Sequence, residues 1–127
     1  MKLTIEMPWE KNLSVNHMRF GPGGFYRRKP EVQGWMYSCH WCVRTAWNAY
    51  RDNGYPGRWQ FSVPVHVTVG FRFPDKRKRD PHNFFKVTAD SVASGLMIDD
   101  KDIRISAGTV EIDRDNPGFT ITVEDEG

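Results

Sequence analysis

The sequence predicts an α+β domain in which a mixed sheet carries two packed helices, with elements in the order β-α-β-α-β-β. Three observations lead there. Residues 61–73, FSVPVHVTVGFRF, alternate strictly, with Val63, Val65, Val67, Val69, Phe71 and Phe73 on one face and His66, Thr68 and Arg72 on the other. Residues 34–51 and 80–95 carry apolar side chains at helical spacing, each with boundary signals. The 127 residues, 39% hydrophobic and 13% aromatic, are enough for one core without disulfides, so residues 1–127 are read as a single domain.

The elements follow in order. Lys2 to Met7 alternates as a short strand, and Pro8 stops it. Asn12 to Pro30 is rich in Gly, Arg and aromatics, with Gly21, Pro22, Gly23, Gly24 and the run Arg27-Arg28-Lys29, and reads as a long loop in contact with substrate. Gly34 to Arg51 forms the first helix, with Trp35, Cys39, Cys42, Ala46, Ala49 and Tyr50 at helical spacing and Asp52-Asn53-Gly54 as its stop. Its aromatic residues suit packing against a sheet or a partner subunit better than base stacking.

The alternating segment from Phe61 to Phe73 is the clearest strand, and Pro64 near its start suits an edge or a strand opening. Asp80 is a good N-cap for the second helix, and Pro81 fits its first position, where the missing N–H costs nothing. Phe85, Ala89, Val92 and Leu96 share its apolar face, opposite a polar stripe of His82, Lys86 and Asp90, and Gly95 ends it. Strands at Ile103 to Ile112 and Phe119 to Val123 follow, joined by Asp113-Arg114-Asp115-Asn116-Pro117-Gly118, a hairpin signal. The acidic tail Glu124-Asp125-Glu126 is expected to fray.

The segment from Arg72 to Asp102 carries the chemistry. Lys76, Arg77, Lys78 and Arg79 stand directly before Asp80, and Asp99-Asp100 follows the helix that Asp80 opens. Cations hold a phosphate backbone and carboxylates hold a divalent metal, so the pattern points to a metal-dependent enzyme acting on nucleic acid. Net charge is only +2, yet residues 1–79 hold fourteen Lys and Arg against five Asp and Glu, while residues 80–127 hold four against eleven. That asymmetry suits a basic binding surface beside an acidic site, and equally suits solvated charges that intermix on folding.

Each of these residues also has a structural explanation. Asp80 is a helix cap, Asp99-Asp100 a turn, and Lys86 one half of a surface pair with Asp90. A helix of about 15 residues rises roughly 22 Å. Asp80 and Asp100 therefore meet only if the chain doubles back along the helix or a second subunit completes the site. Cys39 and Cys42 form a C-x-x-C whose remaining zinc candidates, His17, His40, His66 and His82, are scattered, so two reduced thiols one helical turn apart are expected. The N-terminal MKLTIEMPWEKN reaches acidic residues too early for a signal peptide, and no apolar run spans a bilayer, which predicts a soluble, intracellular protein without membrane partners.

Pro74-Asp75-Lys76-Arg77-Lys78-Arg79-Asp80-Pro81-His82-Asn83, followed by Lys86, Asp90 and Asp99-Asp100, resembles the core of the RusA family of Holliday junction resolvases. Met7-Pro8-Trp9 with Ser14 and Asn16 resembles that family's N-terminal strand and loop. The resemblance implies that Asp80 and Asp100 are metal-binding acids, that Lys86 is the catalytic lysine, and that Asn83 is the motif asparagine. His82 stands where the family has a second acid. Either Asp80, His82 and Asp100 hold the metal, Mg²⁺ or, better suited to the imidazole, Mn²⁺ or Zn²⁺, or metal affinity and activity are lower; the other reading of His82 is a helix-surface residue that faces DNA and not metal. Lys76, Arg77, Lys78 and Arg79 would position the DNA backbone. The resemblance further implies a homodimer that acts on four-way DNA junctions in recombination and repair, in the bacterial cytoplasm, often phage- or prophage-encoded. The alternatives are a branched-DNA-binding protein without catalysis and a zinc-dependent binding module.

Overall fold

The computed structural model describes residues 1–14, 19–20, 26–27, 29–52 and 61–125. Strand β1 spans Lys2–Pro8, the short strands β2 and β3 span Arg19–Phe20 and Tyr26–Arg27, and helix α1 spans Pro30–Asp52. Strand β4 spans Val65–Phe73, helix α2 Phe85–Leu96, strand β5 Ile103–Ile112 and strand β6 Gly118–Glu124. The main sheet has the order β1-β6-β4-β5, with β5 parallel to β4 and the other pairs antiparallel, so the mixed sheet expected from the sequence is present.

One face of this sheet makes the core. Leu3, Ile5 and Met7 of β1, the five apolar residues of β4 from Val65 to Phe73, and Phe119, Ile121 and Val123 of β6 are all buried. Both helices pack on that face, with Val32, Trp35, Cys39, Val43 and Trp47 of α1 and Val87, Val92 and Leu96 of α2 in the same cluster. Trp35 also donates its indole N–H to the carbonyl of Pro8 at 2.9 Å, satisfying the polar atom of a buried ring. The opposite face is polar, and the pairing register sets Thr4, Thr122, Thr68 and Ser106 in one row across all four strands.

Several expectations are corrected. The turn after β5 does not make a hairpin, because β6 lies on the far side of β4 from β5. Its sequence folds tightly as expected, with Asp113 accepting from the amides of Asp115 and Asn116 at 3.2 and 3.0 Å. The turn, however, passes over the end of β4, where Asp113 N–H donates to Phe73 at 2.8 Å and Arg72 donates to the Asn116 carbonyl at 3.0 Å. Burial explains the choice. Phe119, Ile121 and Val123 are fully covered only inside the sheet, whereas Ser106 to Ile112 of β5 are exposed and suit an edge.

Gly95 does not end α2. It lies inside the helix where α1 crosses, and an added Cβ would lie 2.8 Å from both the His40 carbonyl oxygen and Val43 Cβ. The helix stops at Met97, which takes the left-handed conformation at φ 61°. The buried face of α2 is also turned from the expected one: Thr88 and Ser91 are buried while Phe85 and Ala89 are half-buried. Their hydroxyls donate to the carbonyls of Phe84 and Val87 at 2.9 and 2.8 Å, which lets polar residues sit in an apolar interface.

Helix α1 begins at Pro30 and not at Gly34, and it buries Val43 and Trp47 where Cys42 was expected to share the face. Strand β4 starts at Val65, after Pro64, and is central, so Pro64 marks an opening. The tail is anchored as far as Asp125, whose carboxylate accepts from Ser62 N–H at 2.9 Å and pairs with the Met1 amine at 2.8 Å. Asn16, His17, Gly21 to Gly24, Arg28, Asn53, Gly54 and Glu126 lie outside the described residues.

Candidate active site

Between β4 and α2 the chain makes a basic turn that is braced from within. Asp75 accepts from the Arg77 amide at 2.9 Å and pairs with the Arg79 guanidinium at 2.8 Å. The hydrogen bond from Arg79, followed by that from the Arg77 amide, holds the Asp75 carboxyl below its ordinary range. Arg79 also lies 5.2 Å from the ring centres of Trp9 and Phe73, so this cation braces the turn. Lys76, Arg77 and Lys78 are exposed.

Asp80 caps the 3-10 turn Pro81–Phe84, accepting from His82 N–H at 3.0 Å. The same oxygen lies 3.1 Å from the His82 ring nitrogen. These bonds, the amide first, lower the Asp80 carboxyl below the usual carboxylate range and keep it ionised. Asn83 donates its backbone N–H to the Asp80 carbonyl at 3.1 Å.

A second group forms beside α2. After Met97 the chain turns back: Ile98 N–H donates to the Ala93 carbonyl at 2.9 Å, and Asp99 caps the 3-10 turn Asp100–Asp102 through the Lys101 amide at 3.0 Å. This reversal brings Asp100 to within 3.9 Å of the Lys86 ammonium, which also lies 3.4 Å from Asp90. Hydrogen bonding with Asp99 raises the Asp100 carboxyl above its ordinary range, reinforced by lost hydration and by the charges of Asp90 and Asp99, with Lys86 opposing. The Lys101 amide, then Asp100 itself, lower Asp99.

The fold thus joins Asp80 with His82, and Lys86 with Asp90, Asp99 and Asp100. Among the described residues, no three His, Cys, Asp or Glu side chains converge to hold a metal ion. The donor chemistry itself suits a hard divalent cation: the ionised Asp80 offers carboxylate oxygen, and the crowding of carboxylates around Asp100 would be relieved by positive charge. Cys39 is buried and Cys42 exposed, both as free thiols, and burial pushes the Cys39 thiol up to about 12, which makes it an inert core residue.

Asp80 and Asn83 also border a cleft of about 470 Å³ that Arg77 and Lys78 share with Lys11 and Lys29. The sequence reading missed Lys11, which follows β1 closely and carries no motif. Lys29 belonged to the basic run of the long loop, and the expectation that this loop contacts substrate was the available signal.

Comparison with known proteins adds one match. The family described as Endodeoxyribonuclease RusA matches residues 43–124, a span that includes the basic turn, both acidic groups and Lys86. No curated protein matches the chain.

Proposed function

The chain belongs to the RusA endodeoxyribonuclease family, and from that premise we propose that it is a divalent-metal-dependent endonuclease that resolves four-way DNA junctions by paired, symmetric nicks. The observation that carries the reading is the approach of Lys86 to Asp100, two residues of the family-matched span that the sequence separates by a helix. Asp80, His82 and Asp100 would have to be drawn together to hold Mg²⁺ or Mn²⁺, since no three donors converge among the described residues, and the metal would supply Lewis acidity and an activated water for phosphodiester hydrolysis. Lys86 neutralises negative charge that gathers on the phosphate as the bond breaks. Lys76, Arg77 and Lys78 hold the strand through its phosphates, and Arg79 keeps their turn in shape through Asp75.

A four-way junction has two-fold symmetry and needs two matched nicks, so a C2 homodimer presenting two sites is the architecture proposed. The role is then in DNA recombination and repair, in a bacterial or phage setting. No helix of the described residues is long and apolar enough to cross a membrane.

The test is nicking of a labelled synthetic four-way junction, against linear duplex, in Mg²⁺ and separately in Mn²⁺, with Asp100→Asn as the reference. Paired symmetric nicks that vanish in the variant support the reading, and a preference for Mn²⁺ supports His82 as a ligand. Tight junction binding without cleavage in either metal would replace it with a binding protein that keeps the fold.

A further inference from the structure

The cleft beside Asp80 draws in a part of the chain that the family match does not reach, since Lys11 and Lys29 precede residue 43. Lys11 comes from the 3-10 turn after β1, and Lys29 stands immediately before α1. Lys29 is held in place: its ammonium donates to Asn12 Oδ1 at 3.0 Å, and the Asn12 amide donates to Glu10 at 2.8 Å. Asn12 is only 9% exposed, so this support is part of the folded core and not a chance surface contact.

Among the described residues, the ion pairs use Arg51, Arg72, Arg79, His82, Lys86 and the terminal amine, and none uses Lys11, Lys29, Arg77 or Lys78. Five cations therefore line one cleft, these four and the Asp75-paired Arg79, and its described lining has Asp80 as its single acid. Like charges gathered in a concave surface repel one another, and a bound polyanion relieves that repulsion.

Among the described residues, the cleft has no free aromatic face to offer a base. Trp9 lines it, but Phe119 stacks on the Trp9 ring at 5.4 Å and 20°, and the Arg79 guanidinium lies 5.2 Å from the ring centre. The described lining thus offers a base no ring to stack on, while it offers a phosphate several cations. We propose that Lys11 and Lys29, with Arg77 and Lys78, seat neighbouring backbone phosphates of a DNA strand beside Asp80 without reading its bases. The choice of DNA as the polyanion rests on the function proposed above; the seat itself rests on the cleft.

The experiment measures equilibrium binding of a labelled four-way junction and of a matched linear duplex over a salt series, without divalent metal. Wild type is compared with Lys11→Ala/Lys29→Ala, with Lys29→Arg, and with Lys2→Ala on the exposed side of β1 as a distant control. In the double variant the slope of log affinity against log salt is expected to shrink by about 2 on both DNAs. Lys29→Arg and Lys2→Ala should keep the wild-type slope. An unchanged slope in a folded double variant, or an equal loss from Lys2→Ala, overturns the proposal. Should the double variant fail to fold, Lys11→Ala alone reads a shrinkage of about 1 by the same rule, and no change there overturns it as well. Cleavage plays no part in the measurement. A protein that shows these slopes but never nicks DNA keeps the phosphate seat and loses the resolvase reading, and an active nuclease with unchanged slopes does the reverse.

Discussion

The Lys86 ammonium lies 3.9 Å from the Asp100 carboxylate, across the length of chain that forms most of α2 and the turn that reverses it. The same ammonium is 3.4 Å from Asp90, one helical turn along α2. Lys86 thus stands among acids at the place where added positive charge is most needed.

Replacement of Lys86 by Ala should therefore separate chemistry from binding. Nicking of a four-way junction is expected to fall on the order of a hundredfold or more, the scale set by loss of one charge-stabilising donor. Junction affinity without metal should change little. A parallel fall in affinity and nicking would assign Lys86 to DNA binding alone.

The raised Asp100 carboxyl carries a prediction with a definite sign. Its shift comes first from the hydrogen bond with Asp99, then from lost hydration and from the charges of Asp90 and Asp99. A folded pKa above the unfolded one means that the ionised group destabilises the fold above the folded pKa, and that the penalty disappears as pH falls below the unfolded value. Asp100→Asn should raise Tm at neutral pH, lose that gain in acid, and abolish nicking. A Tm at or below wild type at neutral pH would show that attraction to Lys86 outweighs the repulsion.

Gly95→Ala tests the helix crossing. Its new Cβ would lie 2.8 Å from a backbone carbonyl oxygen of α1 and from Val43 Cβ, so α1 and α2 must separate. The expected loss is about 1–3 kcal/mol, read from urea unfolding. Unchanged stability would mean that the helices approach less closely than described.

Met97→Gly should act in the opposite direction. Met97 is 73% exposed and sits at φ 61°, where a side chain is strained and glycine is not. A gain of about 0.5–1 kcal/mol in unfolding free energy is expected. A loss would show that the Met97 side chain makes a compensating contact.

Arg79→Lys is not conservative here. The lysine keeps the charge but loses the planar group that lies near both Trp9 and Phe73 while pairing with Asp75. Stability should fall by about 1 kcal/mol, with a change in tryptophan emission. An unaltered Tm would return Arg79 to the set of cations available for DNA.

Local pattern determined much of this protein. The alternation of Val65 to Phe73, the Asp80 cap with Pro81, the strand limits at Ile103 and Ile112 and the tight turn from Asp113 are set by neighbours in sequence, so they could be read there. The basic turn and the acids near α2 were legible for the same reason. What the sequence left open was every relation between distant segments. It could not say that β6 enters the sheet between β1 and β4, because a tight turn is compatible with a hairpin and with a crossing alike. Nor could it distinguish Gly95 as a packing glycine from a terminator, since that depends on where α1 crosses. The reversal at Met97 brought Asp100 to Lys86, and the packing of the segment after β1 against the start of α1 brought Lys11 and Lys29 to Arg77 and Lys78. Those meetings are decided by which surfaces the core must bury, and burial belongs to the whole chain.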